Sequence, residues 1–298
     1  MNSLFKTLYL IIMNMLGPVF RGFIMIHNIE PHEFHNEWNP RHPAEDDIVF
    51  GFDRNNVILR SDQTFFHYRD LDSAHEYVYL FSVDDTGFFL TDIPENDQAI
   101  SLNINFARTY EPRWLGYACA VAWHLYSWRR VNRFCGACGS QMMNDSKERA
   151  MRCPHCGNVV YPRINPAVIV GVLNKENKLL ITQYAIRHGE YRHDALVAGY
   201  CEIGESIEDC IHREVKEETG LEVTNLRFYK SQPWPFSESI LFGVFCDEAG
   251  GNLIRTDRRE LRSAVWKGRE DAFDVPGNAS LTAEMIQSFR DGKIRFGE

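Results

Sequence analysis

The sequence lacks an excess of positive charge, a long apolar run, internal repeats and any low-complexity tract. Its formal net charge is −9 over 298 residues, which argues against a general nucleic-acid scaffold because such proteins need a basic surface. Hydrophobic residues make up 44% and charged residues 24%, as in ordinary globular proteins. A small anionic substrate remains compatible with this negative net charge if metal ions screen the charge at the site. The length predicts about two domains.

The longest apolar stretch, at about residues 8–20, is too short for a comfortable membrane span. Asn14, Gly17 and Pro18 interrupt it. Only Lys6 precedes it and no small-residue cleavage site follows, so it also fits a signal peptide poorly. We therefore expect residues 1–24 to be a non-native or disordered extension from an upstream start codon, with the folded protein beginning near Met25.

The eight cysteines are too widely spread along a long chain to predict a disulfide framework. Four of them form two CxxC pairs with fourteen residues between the pairs, namely Cys135, Cys138, Cys153 and Cys156. Four thiolates at this spacing can close a tetrahedral shell around one structural zinc ion. We favour this reading of residues 131–162 over disulfides. We interpret the others as buried or incidental thiols, namely Cys119, Cys201, Cys210 and Cys246.

The remaining pattern predicts elements on both sides of this ribbon. Short apolar runs between residues 48 and 91 indicate a mainly β N-terminal domain, which we assign with a helix at residues 112–130 to residues 25–130. Beyond the ribbon, a hairpin at residues 167–185 is followed by strands at about 195–200, 226–231, 240–247 and 263–266. A final helix is expected at residues 280–292. Mixed strands with two helices predict an α/β/α sandwich over residues 163–298, and so an α+β protein.

One helix can be delimited from the sequence alone. Ser206 with Asp209 three residues later predicts its start, and Gly220 predicts its end. No Gly or Pro lies between them. The sequence therefore predicts an uninterrupted helix over about residues 207–219.

The positions of the carboxylates around that helix indicate which way they face. At about 100° per residue, Glu214 and Glu218 share a side with Ile207 and Ile211, with Glu217 beside them. The ordinary interpretation of such a charge run is a solvated face. Here the three carboxylates are expected to face the protein, where like charges repel and lose hydration unless a cation neutralises them. Hard divalent ions such as Mg²⁺ or Mn²⁺ prefer such oxygen ligands.

These residues also carry a resemblance. The chain has the spaced pattern of the Nudix box, formed by Gly199, Glu205, Arg213, Glu214, Val215, Glu217, Glu218, Gly220 and Leu221. It therefore resembles a Nudix hydrolase, a family with an α/β/α sandwich in which water attacks a pyrophosphate phosphorus of a substituted nucleoside diphosphate. The resemblance implies Glu214, Glu217 and Glu218 as catalytic ligands of two or three Mg²⁺ or Mn²⁺ ions. It implies that Glu205 and Arg213 orient the loop and helix.

The order of motifs narrows the resemblance. WRRVNRFCGACG precedes the ribbon, YPRINP follows it, and SQPWPFSES at residues 231–239 lies about ten residues beyond the box. This order resembles the NADH pyrophosphatase subfamily, whose members hydrolyse NAD(H) to nicotinamide mononucleotide and AMP. Some members also remove an NAD cap from RNA. The resemblance implies a cytoplasmic homodimer with no membrane association. Trp234 and Phe236 independently suggest a platform for a flat heterocycle.

Further site residues follow from the same resemblance. Predicted substrate contacts are Arg108, Glu148, Tyr161, Tyr200, Gln232, Pro233, Trp234, Pro235, Phe236, Ser237, Glu238, Ser239 and Thr282. The Ala198 carbonyl and Glu260 are implied as additional Mg²⁺ or Mn²⁺ ligands, and Glu218, then Glu260, are the candidate general bases. Two positions depart from the subfamily pattern, since Ser237 replaces a proline and residues 280–282 read Ser-Leu-Thr where Ser-Ile-Ala is usual.

Two rival functions remain open at this point. One is hydrolysis of ADP-ribose or another nucleoside diphosphate, which the box alone permits. The other is a non-catalytic RNA-binding protein that uses the ribbon, against which the complete glutamate set argues. Arg129, Arg130, Arg133 and Arg149 surround the ribbon and could contact a short RNA, although we favour a solvated rim.

Overall fold

A computed structural model describes residues 25–72, 75–93, 99–185, 193–251, 253–256, 261–275, 277 and 279–297. The predicted extension at residues 1–24 lies outside them. Within the described residues, no helix is both long and apolar enough to cross a membrane.

The N-terminal part is built around one mixed sheet. Its strands are β1 Phe34–His35, β2 Ile48–Asp53, β3 Asn56–Arg60, β4 Phe66–His67, β5 Val78–Val83, β6 Thr86–Leu90 and β7 Ala99–Asn103. They are arranged β1-β5-β6-β2-β3-β7, with β4 paired to β2. The four apolar runs in the sequence correspond to β2, β3, β5 and β6, and the prediction of a mainly β region is confirmed. The sequence pattern did not predict β1, β4 or β7.

A long helix, α1 (Arg113–Val131), packs against this sheet. It begins after Pro112, where a missing N–H costs nothing because the first helical donors are unpaired. Ala118, Ala120 and Ala122 are fully buried in the same core as Phe50 and Phe88, so small side chains allow the helix to approach the aromatic face closely. The helix delivers the chain to the cysteine ribbon, as predicted.

The ribbon is a small three-stranded antiparallel sheet. Its strands are β8 Met143–Asn144, β9 Met151–Arg152 and β10 Val159–Val160, in the order β10-β9-β8. Each strand has only two residues, too few to bury a hydrophobic core of their own. The ribbon therefore depends on its cysteine site and on packing against α1 and the N-terminal sheet.

The described residues of the C-terminal part form a six-stranded sheet and two α-helices. The elements are β11 Asn165–Leu173, β12 Leu179–Tyr184, β13 Val197–Tyr200, α2 Ile207–Thr219, β14 Val223–Trp234, β15 Ser239–Glu248, β16 Leu261–Lys267 and α3 Leu281–Arg290. The sheet order is β14-β15-β11-β12-β16, with β13 paired to β11. The predicted hairpin around residues 174–177 and the final helix are both confirmed.

The central strand β11 shows why this part forms a sandwich. Val168 and Val170 lie in one buried cluster with Ile211 and Val215 of α2. The alternate residue Ile169 lies in a second cluster with α3. Because successive side chains of a strand point to opposite faces, the two helices cover opposite faces of the sheet. The predicted α/β/α sandwich is confirmed.

Candidate active site and zinc centre

Helix α2 has the limits that its sequence predicts. The Ser206 hydroxyl accepts a hydrogen bond from the Asp209 N–H at 3.1 Å, and the Asp209 carboxylate accepts from the Ser206 N–H at 3.2 Å. This reciprocal pair satisfies two backbone donors at the helix start. Gly220 ends the helix with φ 74°, a left-handed conformation that favours glycine.

The burial of the three box glutamates differs from the prediction in one respect. Glu214 and Glu218 are buried, at 9% and 2% exposure, as their helical phase predicts. The side chain of Glu217 is 63% exposed, so the expectation that all three carboxylates face the protein is wrong for this residue. Glu217 lies about 60° around the helix from Glu214 on the side away from Glu218, which places it at the margin of the buried stripe.

Strand β13 lies directly against Glu214. A Cβ atom added to Gly199 would lie 2.0 Å from the Glu214 carboxyl carbon and from Oε1. The absence of a side chain at residue 199 therefore makes room for the carboxylate beside the strand. Ala198, predicted to offer its carbonyl to a metal, precedes this glycine in the same strand.

Arg213 ties the box loop to the helix. Its guanidinium donates to both Glu205 oxygens at 2.5 and 2.9 Å, to Glu214 at 2.7 Å and to Glu217 at 3.2 Å. A further N–H donates to the Tyr200 carbonyl oxygen at 2.9 Å. These bonds agree with the predicted orienting role of Arg213 and Glu205. Hydrogen bonds from Arg213 lower the pKa of Glu205 to about 2. In turn, the hydrogen bond to Glu205 is the largest cause that raises the pKa of the Arg213 guanidinium.

The three box glutamates offer the kind of ligand atom that a hard divalent ion prefers. Carboxylate oxygens are the ligands that Mg²⁺ and Mn²⁺ prefer, and a charged side chain as buried as Glu218 needs compensation. Their oxygens are not gathered around one point, and two of the three carboxylates, Glu214 and Glu217, are hydrogen-bonded to Arg213. Within the described part of the chain, the donor atoms that lie close enough together to hold an ion are those of the four ribbon cysteines.

The aromatic pair of the 231–239 segment is held by a residue from the N-terminal part. The Trp234 and Phe236 rings lie 5.1 Å apart at 62°, as close together as the sequence suggests. The Arg108 guanidinium lies 5.1 Å from the Trp234 ring and 5.8 Å from the Phe236 ring. Such geometry is a cation–π interaction. The fold thus brings Arg108 to the predicted substrate loop across more than 100 residues.

Polar contacts connect this segment to the Nudix box. The Ser239 hydroxyl donates to the Tyr200 hydroxyl at 3.4 Å, and the Ser237 and Ser239 hydroxyls are 2.9 Å apart. Tyr200 is 51% exposed, so its ring is available for stacking. Ser237, which replaces a proline, thus contributes a hydrogen bond that proline lacks.

Two residues that support this segment were missed by the sequence analysis. These residues are Arg163 and His124. The Arg163 guanidinium donates a hydrogen bond to Glu238 at 2.8 Å, and the Arg163 carbonyl oxygen is hydrogen-bonded to the His124 ring at 2.8 Å. Glu238 itself has φ 54°, so this ion pair holds a sharply turned backbone. Arg163 belongs to the YPRINP motif, the one sequence signal that could have identified it.

The structure contradicts the predicted pocket role of one residue in this segment. The Gln232 side chain is fully buried; its Nε2 donates to the Ala279 carbonyl at 3.0 Å and its oxygen accepts from the Leu281 N–H at 2.7 Å. It therefore pairs with one backbone N–H and one backbone carbonyl at the start of α3 instead of lining a pocket. Pro233 and Trp234 are the last residues of β14, and Pro235–Ser237 form a short 3₁₀ turn.

The remaining predicted residues occupy separate places. The Tyr161 hydroxyl donates to Glu148 at 2.8 Å, and Tyr161 is 55% exposed, so it is not a core tyrosine. Thr282 lies in the first turn of α3 and is half-buried. Glu260 lies outside the described residues.

The four ribbon sulfurs form a compact group. All lie within 4.8 Å of one another, with Cys135 and Cys156 at 3.6 Å and Cys138 and Cys153 at 3.5 Å. Zn–S bonds of about 2.3 Å in a tetrahedron require S···S distances of about 3.8 Å, so the group fits structural zinc.

The two halves of the ribbon repeat one backbone device. The Gly139 N–H donates to the Cys135 carbonyl at 2.8 Å, and the Gly157 N–H donates to the Cys153 carbonyl at 3.0 Å. Both glycines have positive φ, 76° and 78°. Each CxxC pair therefore ends in a turn that glycine adopts without strain.

The thiols have unequal affinities for protons. Hydrogen bonds from Ser140 lower the pKa of Cys138 to about 5. At Cys156 the Asn158 N–H acts to lower the pKa, but the other three sulfurs raise it, to about 12. A fourth thiolate is thus unfavourable unless a cation compensates it, which is what a zinc ion does.

The arginines around the ribbon are not one solvated rim. Arg149 donates to the Leu80 carbonyl at 2.7 Å and to the Asn36 carbonyl at 3.0 Å, which ties the ribbon to the N-terminal sheet. Arg129 is half-buried and bonds to Asn144. Only Arg130 and Arg133 are exposed, so the interpretation of the four as a rim is wrong for the other two.

Two family models match the parts of the chain that contain the carboxylate helix and the cysteine ribbon. Residues 163–289 match the family model of the NUDIX domain, and residues 130–161 match that of the NADH pyrophosphatase zinc ribbon domain.

Individual relatives are similar to this chain over part of their length. A protein of Pseudomonas syringae pv. tomato named NAD-capped RNA hydrolase NudC is 39% identical over 59% of this chain and 60% of its own length. A protein of the same name from Vibrio atlanticus is 40% identical over 53% of this chain and 58% of its own length. The chain thus spans about three fifths of these curated relatives. A solved Nudix hydrolase from Nitrosomonas europaea is 22% identical with a TM-score of 0.43, over 53% of this chain and 91% of that one.

Proposed function

We propose that the protein hydrolyses the pyrophosphate bond of NAD(H), because residues 163–289 match the NUDIX domain and residues 130–161 match the NADH pyrophosphatase zinc ribbon domain. The products are nicotinamide mononucleotide and AMP. We propose that it acts in the cytoplasm as a homodimer, with one structural zinc ion and two or three catalytic Mg²⁺ or Mn²⁺ ions per chain.

The contacts of Tyr200 carry this proposal. Its carbonyl accepts from Arg213 of the carboxylate helix, and its hydroxyl accepts from Ser239 of the aromatic segment. One residue thus joins the part of the site suited to a metal-bound pyrophosphate with the part suited to a flat ring. NAD(H) carries both groups on one molecule, as other substituted nucleoside diphosphates do, and the match of residues 130–161 to the NADH pyrophosphatase zinc ribbon supports NAD(H) among them.

The protein's own residues have distinct parts in the proposed reaction. Arg213 pairs with Glu205, Glu214 and Glu217 and so orients the box loop relative to α2, which brings the carboxylates to the reacting phosphorus. Glu218, buried at 2% exposure, is the proposed acceptor of the proton from the attacking water. Trp234, Phe236 and the Tyr200 ring would orient the base by stacking.

Glu214, Glu217 and Glu218, with the Ala198 carbonyl and Glu260, are the proposed ligands of the catalytic ions. When bound, Mg²⁺ or Mn²⁺ polarises the pyrophosphate oxygens and lowers the pKa of a bound water. For the ions to bind, the Glu214 and Glu217 oxygens must be shared with or released from Arg213, so metal binding and the Arg213 contacts are coupled.

Removal of an NAD cap from RNA is the second candidate activity. Two relatives carry the name NAD-capped RNA hydrolase. Arg130 and Arg133 are exposed beside the ribbon and could contact the phosphates of a short RNA. Cap removal would cleave the same pyrophosphate bond, so the two activities would share one site.

The test is a comparison of NADH, NAD⁺, NAD-capped RNA and ADP-ribose, each with Mg²⁺ or Mn²⁺, with products separated by chromatography. We expect nicotinamide mononucleotide from NADH, with kcat/KM well above that for ADP-ribose. Equal kcat/KM values would contradict the dinucleotide specificity. No metal-dependent hydrolysis of any of the four would favour the non-catalytic RNA-binding alternative.

A further inference from the structure

Two thiols of the Nudix box region lie together. Cys201 directly follows the last residue of β13 and is half-buried, whereas Cys210 lies on α2 and is fully buried. Cys201 packs against the buried cluster that contains Cys210. Both are free thiols. They were expected to be incidental, but the fold brings them to one place between the strand and the helix.

A hydrogen bond joins the two thiols. Burial, and after it this hydrogen bond to Cys201, raises the pKa of the Cys210 thiol to about 12. A hydrogen bond raises the pKa of a group when the protonated form of that group donates it. The Cys210 S–H therefore points to the Cys201 sulfur, and the two sulfur atoms are in contact.

Arg213 independently places the backbone of Cys201 beside Cys210. Its Nη2 atom donates to the carbonyl oxygen of Tyr200, the residue before Cys201, at 2.9 Å, and the same nitrogen lies 3.7 Å from the Cys210 sulfur. On the other side, the Cys201 N–H donates to the Pro166 carbonyl of β11 at 3.1 Å. The peptide that carries the first thiol is thus held next to the second.

Another cysteine of the same cluster has different neighbours. Cys246 of β15 is also fully buried in it. Burial raises the pKa of the Cys246 thiol, and the other groups that act on this pKa are Arg227 and Asp247 instead of a thiol. Contact between thiols is therefore a property of the Cys201 and Cys210 pair, which makes Cys246 a suitable control.

We propose that Cys201 and Cys210 form a reversible disulfide when the protein is exposed to a peroxide. The Cys201 thiolate attacks one oxygen of hydrogen peroxide, the O–O bond breaks, and the departing hydroxide takes a proton, which leaves a sulfenic acid on Cys201. The Cys210 sulfur then attacks the Cys201 sulfur, and its proton leaves with the hydroxyl group as water. Two thiols and one hydrogen peroxide thus give one disulfide and two water molecules. A dithiol reductant reverses the reaction by exchange.

The cross-link would tie the end of β13 to α2. It would hold the Tyr200 carbonyl against Arg213, whose other N–H groups donate to Glu214 and Glu217. In the proposed function, these two carboxylates must be shared with or released from Arg213 before metal ions bind. The disulfide would therefore oppose metal binding. This consequence rests on the proposed function, whereas the disulfide itself does not.

Peptide mapping of the full chain tests the disulfide without any activity measurement. Residues 193–213 form one tryptic peptide, in which Cys201 and Cys210 are the two cysteines. The protein is exposed to hydrogen peroxide at doses that leave its zinc content unchanged, denatured with N-ethylmaleimide and digested without reduction. We expect this peptide to be unalkylated and two hydrogen masses lighter than with two thiols. After treatment with dithiothreitol, both cysteines should be alkylated.

Two variants make the mapping specific. Cys201→Ser should leave Cys210 open to alkylation after the same exposure. Cys246→Ala should form the cross-link as the unmodified protein does. Alkylation of both cysteines in the peroxide-treated unmodified protein would overturn the proposal, and so would a Cys201 sulfinic acid without a cross-link.

Magnesium titration of NADH hydrolysis tests the effect on metal binding. The Mg²⁺ concentration for half-maximal rate should rise about 5-fold or more in the oxidised protein and return to its first value after dithiothreitol. In Cys201→Ser it should not respond to peroxide. An unchanged Mg²⁺ requirement in protein whose disulfide has been mapped would refute the effect on metal binding. Absence of hydrolysis by the reduced protein would instead refute the proposed function, and the mapped disulfide would stand.

Discussion

The carboxylate of Glu214 occupies the space beside Gly199 in which a side chain would begin. A Cβ at residue 199 would approach its atoms to 2.0 Å, well inside van der Waals contact. The two residues are fifteen positions apart in the sequence and belong to β13 and α2. Their contact explains why the first position of the Nudix box is a glycine in this chain, since only glycine leaves the carboxylate its place.

Gly199→Ala should therefore displace the Glu214 carboxylate without removing it. We expect kcat for NADH to fall about 100-fold, the usual cost of a misplacement of about 1 Å at a reacting centre. Gly268→Ala is the control, since its Cβ would meet only Asp271 at 3.6 Å. Steady-state kinetics of both variants, with circular dichroism to verify folding, makes the comparison. Normal turnover in Gly199→Ala would show that the Glu214 position is unimportant.

Glu218→Gln keeps the shape of a buried side chain and removes its charge. If Glu218 accepts the proton, kcat should fall by about 10²–10⁴-fold while Tm changes little. Glu208→Gln, at an exposed position of the same helix, should retain normal kcat. A near-normal rate in Glu218→Gln would transfer the role to another group, with Glu260 the next candidate.

The Glu205 and Arg213 pair predicts a specific acid response. Arg213 lowers the pKa of Glu205 from 4.5 to about 2, so the pair stabilises the folded state fully above pH 4.5. This stabilisation is lost as the pH falls from 4.5 to about 2. Urea unfolding should show that Glu205→Gln is less stable than the unmodified protein at pH 7 and that the difference narrows through this interval. A difference that does not change with pH would contradict the pairing.

Arg108→Met should weaken binding of the dinucleotide more than the chemical step. The substitution removes the positive charge above the Trp234 and Phe236 rings. A partly exposed cation–π contact contributes about 0.5–1 kcal/mol. We expect KM for NADH to rise roughly 2–5-fold with kcat nearly unchanged. Arg130→Met, at an exposed position, serves as the control with NADH. A fall in kcat alone would place Arg108 in a different role.

Cys153→Ser tests the zinc centre. The protein should contain one zinc ion per chain by elemental analysis, and the variant should contain almost none and melt at a lower temperature, because metal binding is coupled to folding of the ribbon. Cys119→Ser changes a fully buried cysteine outside the ribbon and should keep its zinc. Full zinc content in Cys153→Ser would exclude this residue as a ligand.

Local signals were sufficient for much of the fold. Ser206, Asp209 and Gly220 delimit α2 through contacts within a few residues, and the two CxxC pairs identify the ribbon because their spacing is itself the geometric requirement. The prediction was weakest where a side chain's role depends on its distant neighbours. Gln232 was expected in a pocket but supports α3, and Glu217 was expected to be buried but lies at the margin of the buried stripe.

The sequence by itself determined the chemistry available to this protein: a helix that carries three carboxylates, four thiols at zinc spacing and an aromatic segment stiffened by prolines. These follow from the periodicity and conformational preferences of neighbouring residues. Only the tertiary structure decided that Arg108 lies over Trp234, that Glu214 fits against Gly199 and that Arg149 joins the ribbon to the N-terminal sheet. Such contacts link residues far apart in the chain, and packing selects them because burial leaves few positions in which each charge and each donor can be compensated.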